Sequence, residues 1–431
     1  MQHTFRRSGI PRDFAIGVVV GREQDPTVIG LPPRQGNTTL ACPAVATNGT
    51  CTRPDLLRAV KQQKPVFAPN QKSTYSNDAF ELLGLALEEV TGQTYSDYIT
   101  ESVLKPLKMT KSSFATPLDD HAVLSYGKSA IWDVDQGVQR PTGGLYASAS
   151  DLSKFLRYIL KQYDSIAIGV NWLLPVSWAT GMQSFYGMPW EILRSDSVLE
   201  HSKRPVTIVS KSGGLPGYVS YIFLLPEYNL GVTVLVAGNV TLLDQLQDIV
   251  LTGLIRAAED SIWDHVGTVY DGDFVSTNSS LNSSLSLKST SKHGLKISKF
   301  ISNGTDMLDT VLTQILAPYL PPQKTGWHAQ LVPTLLYKNE GNKQGEIWRF
   351  LIVQERKEKT SGHGLFDEFC VTDVDTTSYG TLPLNEVVFW HERGLVELPA
   401  FEVVFKPAAE RGAEGGSWSA SFENLLQHVI S

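Results

Sequence analysis

The 431-residue sequence contains little cysteine and no long apolar run. It has three Cys and five Met, far fewer cysteines than a small disulfide-bonded scaffold needs. The longest apolar stretch, Gly231 to Leu243, is interrupted by Gly238 and Asn239. It is shorter than the about 18 residues of a membrane span, so none is predicted. Lys and Arg number 37 against 44 Asp and Glu, a formal net charge of −7. Nucleic acid is therefore not an expected partner.

The signatures of several common enzyme classes are also absent. The sequence has no His-Glu-x-x-His, Gly-x-Ser-x-Gly, Walker A motif or Gly-x-Gly-x-x-Gly. Those motifs are typical of metalloproteases, α/β-hydrolases, P-loop NTPases and dinucleotide-binding proteins. The nine histidines lack ligand spacing, and the cysteines lack paired zinc spacing. We therefore expect no metal and no cofactor.

What is present indicates a globular protein of two or three domains, since 42% of the residues are hydrophobic. Prolines in residues 1–70 predict loops there. Apolar spacing and capping residues predict three helices, which follow Tyr75-Ser76-Asn77, Thr94 and Ser148. The first of these carries an apolar stripe formed by Phe80, Leu83, Gly84 and Leu87. We expect Thr91-Gly92 to end that helix.

The later part of the chain changes from mixed to mostly β structure. Two β-rich segments, Tyr218 to Leu225 and Gly231 to Ala237, flank a turn and predict a hairpin. A helical pattern follows from Leu242 to Ala258. Beyond residue 268 the alternation of apolar residues predicts strands in a small barrel or a sandwich. We place one domain at 1–262 and a β-rich domain at 268–431.

The cysteines and glycosylation motifs bear on the compartment. Cys42 and Cys51 flank a short loop of small and polar residues, which favours a local disulfide and an oxidising compartment. The alternative is two unrelated thiols, with Cys370 as a buried free thiol in either case. Asn-x-Ser/Thr motifs favour a secreted glycoprotein and occur at Asn37, Asn48, Asn239, Asn278, Asn282 and Asn303. The first eight residues, however, do not form a signal peptide.

Two short motifs remain as candidates for chemistry. Tyr75-Ser76-Asn77 precedes a predicted helix, and Lys211-Ser212-Gly213-Gly214 lies on a predicted strand. Each motif alone has an ordinary explanation. The first is commonly a turn with a helix N-cap, and the second a turn with a solvated lysine.

Together with their neighbours, the two motifs resemble the serine β-lactamase and penicillin-binding-protein family. The likeness is to its class C-like branch and to secreted fungal β-lactamase-like proteins, and it covers nearly the whole chain. Five stretches carry it: Ser8–Phe14, Val66–Asn77, Pro141–Leu152, Tyr186–Ile192 and Lys211–Gly214. The resemblance implies an α/β (α+β) domain with an antiparallel sheet flanked by helices, followed by the β-rich domain.

The resemblance also implies roles for the two motifs. Tyr75 would be the general base, and the ammonium of Lys211 would favour its phenolate and attract a substrate carboxylate. Asn77 would bind the acyl side chain, and Ser212 would bind the carboxylate. Gly213 and Gly214 would let the substrate approach the strand, with the Gly214 N–H as half of an oxyanion hole. The implied partner is a small-molecule or acyl substrate, in a monomer.

The nucleophile that the family carries in Ser-x-x-Lys has no match in the expected order. Ser102, Ser125 and Ser289 begin such motifs, but all follow Tyr75, and we interpret them as chance matches. The sequence then resembles a truncated family member, and we expect the strand at Val232 to Val236 to lack a neighbour. One hypothesis is a hydrolase or acyltransferase for amide, ester or acyl substrates, including those of secondary metabolism. The alternative is a non-catalytic pseudo-enzyme with a ligand-binding or accessory role.

Overall fold

A computed structural model describes most of the chain in two compact units. The residues that it describes are 15–20, 51–62, 64, 67–68, 71, 73–125, 132–133, 135–166, 172–202, 204–312, 327–354 and 378–409. The N-terminal unit contains residues from 9 to 198 and 205–254, and the C-terminal unit contains 199–204 and the residues from 255 onward. Each unit is described separately below.

A seven-stranded sheet with the order β1-β7-β6-β5-β4-β3-β2 forms the centre of the N-terminal unit. Its strands are β1 (Ala15–Val20), β2 (Ser177–Trp178), β3 (Ser184–Tyr186), β4 (Glu191–Ser195), β5 (Val206–Leu215), β6 (Tyr218–Leu225) and β7 (Leu230–Gly238). All neighbours are antiparallel except β1 and β7, which are parallel. The predicted hairpin is β6–β7, and its turn ends at Asn229 in the left-handed region with φ 48°. The mixed helix and sheet architecture confirms the expected fold class.

Helices accompany this sheet in the N-terminal unit. They are α1 (Arg53–Gln62), α2 (Asn77–Thr91), α3 (Tyr95–Ile99), α4 (Arg140–Gly143) and α5 (Ala149–Ile166). The predicted caps are confirmed. The Ala79 N–H donates to the Ser76 hydroxyl, and the Asp97 N–H donates to the Thr94 hydroxyl. The predicted end of α2 is also confirmed, since Gly92 caps it with φ 67°.

Three local expectations were wrong. Residues 1–70 are not all loop, since they contain β1 and α1. The β-branched run near Val18 favours an extended strand, and this strand pairs with β7. The edge at Val232 to Val236 is consequently paired, and Val232, Val234 and Val236 are buried. Leu83 does not belong to the buried stripe of α2, since its side chain is 63% exposed. Leu85 and Glu81 are buried instead.

The C-terminal unit is a closed antiparallel barrel. Its nine-stranded sheet has the order β11-β10-β12-β13-β16-β17-β18-β8-β9, and a further β9–β10 pairing closes eight strands into a ring. These strands are β8 (Gly272–Ser276), β9 (Ser284–Thr290), β10 (Gly294–Ser302), β11 (Thr305–Asp306), β12 (Trp327–Asn339), β13 (Gln344–Gln354), β16 (Glu386–Trp390), β17 (Leu395–Leu398) and β18 (Val403–Pro407). A separate two-stranded pair contains β14 (Ser378–Tyr379) and β15 (Leu382–Pro383). Of the two predicted alternatives, barrel and sandwich, the ring selects the barrel.

Aromatic side chains fill the core of this barrel. Trp348, Phe350 and Phe389 are at most 3% exposed, and they pack with Tyr270 at the end of a long helix. That helix, α6 (Leu243–Tyr270), continues beyond the predicted end at Ala258 and through the residues where we place the domain boundary. No helix in the described ranges is long and apolar enough to cross a membrane.

Candidate functional site

The loop before α2 presents Tyr75 and Asn77 together. Ser76 caps the helix, which fixes the backbone on either side of it. The Tyr75 hydroxyl donates to Asn77 Oδ1 at 2.7 Å. The Ser177 hydroxyl of β2 donates to Ser73 Oγ at 2.6 Å and attaches the same loop to the sheet. Tyr75 remains 49% exposed, so its phenol is open to a ligand.

Strand β5 carries Lys211 and Ser212 beyond Glu191, the residue at which β4 begins. The β4–β5 register stops at the pair Glu191–Ser210, whereas β5 and β6 continue to pair as far as Leu215. The Ser212 N–H points towards the β4 side, because it donates to Glu191. Amide groups alternate along a strand, so the Gly214 N–H points to the same side, at an edge that β4 does not cover.

Glu191 connects this edge to Lys211. The Lys211 ammonium lies 2.7 Å from Glu191 Oε1, and the Ser212 hydroxyl donates to the same oxygen at 3.1 Å. The Ser212 N–H donates to Glu191 Oε2 at 3.2 Å. Lys211 Nζ also donates to the Ser212 carbonyl at 2.9 Å. The Lys211 and Glu191 side chains are 23% and 34% exposed, so the pair lies at a partly desolvated surface.

The two sequence motifs meet at the ammonium of Lys211. Its Nζ atom lies 4.7 Å from the centroid of the Tyr75 ring, a cation–π contact. The structure therefore brings the motif of Tyr75 and Asn77 next to that of Lys211 and Ser212, although the two motifs are far apart in sequence. Gly213 and Gly214 extend the same strand edge and are exposed. A Cβ atom at Gly213 would lie 2.8 Å from Ser220 Oγ, so a larger residue there requires the Ser220 hydroxyl to move.

The three Ser-x-x-Lys serines have other surroundings. The Ser102 hydroxyl donates to the Tyr98 carbonyl one turn earlier, and Lys105 forms an ion pair with Glu101. The Ser125 N–H donates to the Tyr218 hydroxyl at 2.8 Å. Ser289 belongs to the C-terminal unit, on β9. Among the described residues, no hydrogen bond or ion pair joins these serines to Tyr75 or Lys211.

The remaining predicted residues lie elsewhere or outside the described ranges. Cys51 is buried near Leu56. Asn278, Asn282 and Asn303 are exposed in the C-terminal unit, whereas Asn239 is half-buried and accepts from the Thr241 N–H and hydroxyl. The residues outside the described ranges are Asn37, Cys42, Asn48 and Cys370. No group of three or more His, Cys, Asp or Glu in the described ranges could hold a metal ion.

Burial raises the pKa of three described groups of the N-terminal unit, Glu81, Tyr95 and Tyr218. Burial raises the pKa of Glu81 on α2, and a hydrogen bond from the Thr142 hydroxyl to Glu81 Oε1 opposes that shift. Burial likewise raises the pKa of Tyr218 on β6, which keeps its phenol protonated. Tyr218 accepts from the Ser125 N–H.

Glu191 is the site residue that the sequence reasoning missed. It belongs to the stretch Tyr186–Ile192, which contributes to the family resemblance, but no role was predicted for it. The sequence carried no signal for it, because side chains alternate between the two faces of a strand, and a charged residue before the buried Ile192 has the ordinary solvent-facing pattern.

The sequence is similar to those of known β-lactamase-like proteins. The family model described as Beta-lactamase matches residues 7–255, and the one described as Beta-lactamase-like-like, C-terminal domain matches 263–409. Among curated proteins, "Probable hydrolase clz13" of Cochliobolus lunatus is 32% identical over 371 residues, which cover 84% of this chain. "Beta-lactamase-like protein" of Arthroderma benhamiae is 28% identical over 426 residues, 92% of this chain and 70% of that protein.

The chain spans only 59% of the length of clz13. A solved structure, a β-lactamase/D-alanine carboxypeptidase from Yersinia pestis complexed with citrate, is 21% identical with a TM-score of 0.39, and the match covers 49% of this chain and 62% of that one. The first family model alone matches more than half of the sequence. The extended similarity to clz13 agrees with that match. The chain belongs to the beta-lactamase family.

Proposed function

We propose that this chain supplies the proton-transfer and substrate-binding residues of a serine acyl hydrolase or acyltransferase. The substrate is an amide, an ester or another acyl compound, and acyl compounds of secondary metabolism are one such class. One observation carries the proposal. Lys211 Nζ lies 4.7 Å from the centroid of the Tyr75 ring. Lys211 belongs to β5, the strand that also supplies Ser212 and Gly214.

The proposed chemistry assigns one task to each group. A serine oxygen attacks the acyl carbon, and its proton passes to the Tyr75 oxygen, which acts as the general base beside the Lys211 ammonium. Tyr75 then gives that proton to the leaving group. The Gly214 N–H donates to the oxyanion that forms in between, and the Asn77 amide binds the acyl side chain. Water or an acceptor alcohol completes the cycle by the same steps in reverse.

The serine of this mechanism is not Ser102, Ser125 or Ser289. The Ser102 hydroxyl is already bonded within its own helix. No described contact links Ser125 or Ser289 to Tyr75. We propose that the acylated serine belongs to a Ser-x-x-Lys motif other than these three. The hydrolase is then active in a form of the protein that contains such a motif.

Fluorophosphonate labelling with mass spectrometry tests this proposal. The 431-residue chain should give no stoichiometric adduct, because loss of a serine nucleophile typically lowers turnover by about 10⁶-fold. Protein from the natural source should be labelled on another Ser-x-x-Lys serine, and Tyr75→Phe should slow that labelling by at least about 100-fold. An adduct on Ser102, Ser125 or Ser289, or a rate unchanged by Tyr75→Phe, would contradict the proposal.

A second candidate is a pseudo-enzyme that binds a ligand without turning it over. The contacts of Glu191 favour it, since they already engage Lys211 and Ser212. In that case the natural protein would also resist labelling. An acyl ligand would nevertheless protect the Tyr75 region from chemical modification.

We further propose a secreted, monomeric glycoprotein with domains at 1–262 and 268–431. The exposed positions of Asn278, Asn282 and Asn303 support glycosylation. The proposed disulfide joins Cys42 and Cys51. Peptide mapping of the secreted natural protein, with and without reduction and deglycosylation, tests both modifications. Fully unmodified peptides at all of these positions would contradict them.

A further inference from the structure

The corner formed by Lys211 and Ser212 is already in contact with a carboxylate of the protein's own chain. Three donors converge on the Glu191 carboxylate: the Lys211 ammonium, the Ser212 hydroxyl and the Ser212 N–H. These groups include the two to which the family resemblance assigns a substrate carboxylate. Their donors are directed at Glu191 instead.

The charges at this corner lead to the same expectation. Lys211 and Glu191 form an ion pair with a separation of 2.7 Å, so an approaching ligand meets a neutral pair rather than a free cation. An anionic ligand would be repelled by the Glu191 carboxylate and would have to displace it from three donors. An uncharged ester or amide would not be repelled by Glu191 and would not have to displace it. It would still reach Tyr75 and the Gly214 N–H, because both are exposed.

We propose that Glu191 is a specificity-determining residue that excludes carboxylate-bearing substrates and selects uncharged esters or amides. The inference rests on the proposed acyl-transfer site and names its substrate class. Glu191 also acts as a positioning residue, because its bond to Lys211 Nζ holds the ammonium over the Tyr75 ring. A purely structural Glu191, which only closes the end of β4, would not distinguish a free acid from its ester.

Binding of a matched pair of probes tests the inference. Phenylacetate and methyl phenylacetate share a phenyl group and differ in charge. Their binding to the 431-residue chain can be followed through the amide signals of Ser212 and Gly214 in NMR titrations. The wild type should bind the ester more tightly than the acid. Glu191→Ala should raise the affinity for the acid at least tenfold and change that for the ester less than threefold.

Two further variants distinguish the charge of Glu191 from its side-chain volume, and both from the effect of removing any carboxylate that contacts β5. Glu191→Gln keeps the side-chain volume and removes the charge, so it should also raise the affinity for the acid. Glu227→Gln is the matched control. The Glu227 carboxylate accepts from the Thr207 N–H, so it also binds strand β5. Its partner on β5 is Thr207 and not Lys211 or Ser212. This variant should leave the acid-to-ester ratio unchanged.

Each of three results would overturn the inference. The first is a wild type that binds the acid at least as tightly as the ester. The second is an unchanged acid-to-ester ratio in both Glu191 variants. The third is the absence of any shift at Ser212 and Gly214 with either probe in all variants, because the corner would then not be a ligand site. These readouts are non-covalent, whereas labelling in Tyr75→Phe reports acylation, so the two proposals fail in distinguishable ways.

Discussion

Two carboxylates, one in each unit, have similar partners and very different surroundings. Glu191 accepts from the Ser212 hydroxyl and pairs with Lys211. Glu346 on β13 accepts from the Tyr270 hydroxyl at 2.9 Å, and His391 Nε2 lies 2.6 Å from the same Glu346 oxygen. The Glu191 side chain is 34% exposed, whereas that of Glu346 is 1% exposed.

Because of this difference in burial, water can replace the partners of Glu191 but not those of Glu346. At a surface, an ion pair contributes about 0–1 kcal/mol, because water solvates both ions almost as well. In the barrel core, water cannot replace a lost hydrogen-bond partner, and leaving a buried polar group without one costs about 1–3 kcal/mol. We therefore expect Glu346 to matter for stability and Glu191 for ligand choice.

The largest expected effect is on the barrel. Glu346→Ala should lower the free energy of unfolding of the C-terminal unit by about 3 kcal/mol, because the Tyr270 hydroxyl and His391 lose this carboxylate and a cavity forms. Urea denaturation of the full chain measures the change. Glu346→Gln retains an acceptor and should cost less. Glu340→Ala on the same hairpin, where the carboxylate is exposed, is the control. Equal losses in Glu346→Ala and Glu340→Ala would remove the proposed contrast.

The next effect concerns the helix that follows Tyr75. A Cβ atom at Gly84 would lie 2.4 Å from Pro141 Cγ, a contact that neither the helix nor the proline ring can easily relieve. Gly84→Ala should therefore destabilise the N-terminal unit by about 1–3 kcal/mol and disturb the loop at Tyr75. Gly253 is also helical but has no neighbour within 4 Å of such a Cβ. Gly253→Ala should stabilise the same unit by up to about 1 kcal/mol.

Thermal melts of the two glycine variants provide the measurement. Shifts of opposite sign would show that the close contact between α2 and Pro141, and not helix propensity alone, decides the effect of an added methyl group. A Gly84→Ala variant as stable as the wild type would contradict this explanation.

The sequence contained the local signals of the fold but not all of its long-range pairings. The caps at Ser76 and Thr94 depend on residues within one turn, and the β6–β7 hairpin depends on one short loop, so all were predictable. Strand β1 pairs with β7 across more than half of the N-terminal unit. No local pattern specifies that partner, and the prolines around β1 concealed its strand pattern.

The site shows the same limit. Tyr75 and Lys211 were predicted because their motifs resemble those of a family, whereas Glu191 has no motif of its own. Its contacts arise because β4 begins at Glu191, opposite Ser210, which leaves the Glu191 side chain next to Lys211. The position at which a neighbouring strand ends is a property of the sheet, and it cannot be read from the residues around Glu191 alone.

A smaller effect is expected at the exposed carboxylate. Glu191→Ala should change the free energy of unfolding of the N-terminal unit by less than about 1 kcal/mol, since water can solvate both Lys211 and Ser212. Urea denaturation beside Glu346→Ala gives the direct comparison. A loss as large as that of Glu346→Ala would mean that the Glu191 pair is structural, and it would weaken the proposed role in ligand choice.

The smallest expected effect is at Glu81 of the N-terminal unit, a carboxylate that is buried like Glu346 but has fewer hydrogen-bond partners. Glu81 is 2% exposed, and its Oε2 atom has no hydrogen-bond partner among the described residues. Burial raises the pKa of Glu81 in the folded protein above its ordinary value of about 4.3. Between the ordinary and the folded pKa, the folded state binds more protons than the unfolded state. The contribution of Glu81 to stability is therefore largest at low pH and falls as the pH rises through the folded pKa.

Removing the Glu81 charge should remove this pH dependence. Glu81→Gln keeps an acceptor for the Thr142 hydroxyl, so it should stabilise the N-terminal unit at pH 7.5 by no more than about 1 kcal/mol. Below about pH 4 the gain should disappear, because Glu81 is then protonated in both states. Glu89→Gln is the control, since Glu89 lies on the same helix, is exposed and pairs with Arg53. Urea denaturation at several pH values measures both variants. A gain that is the same at pH 4 and pH 7.5 would show that it comes from packing and not from the buried charge.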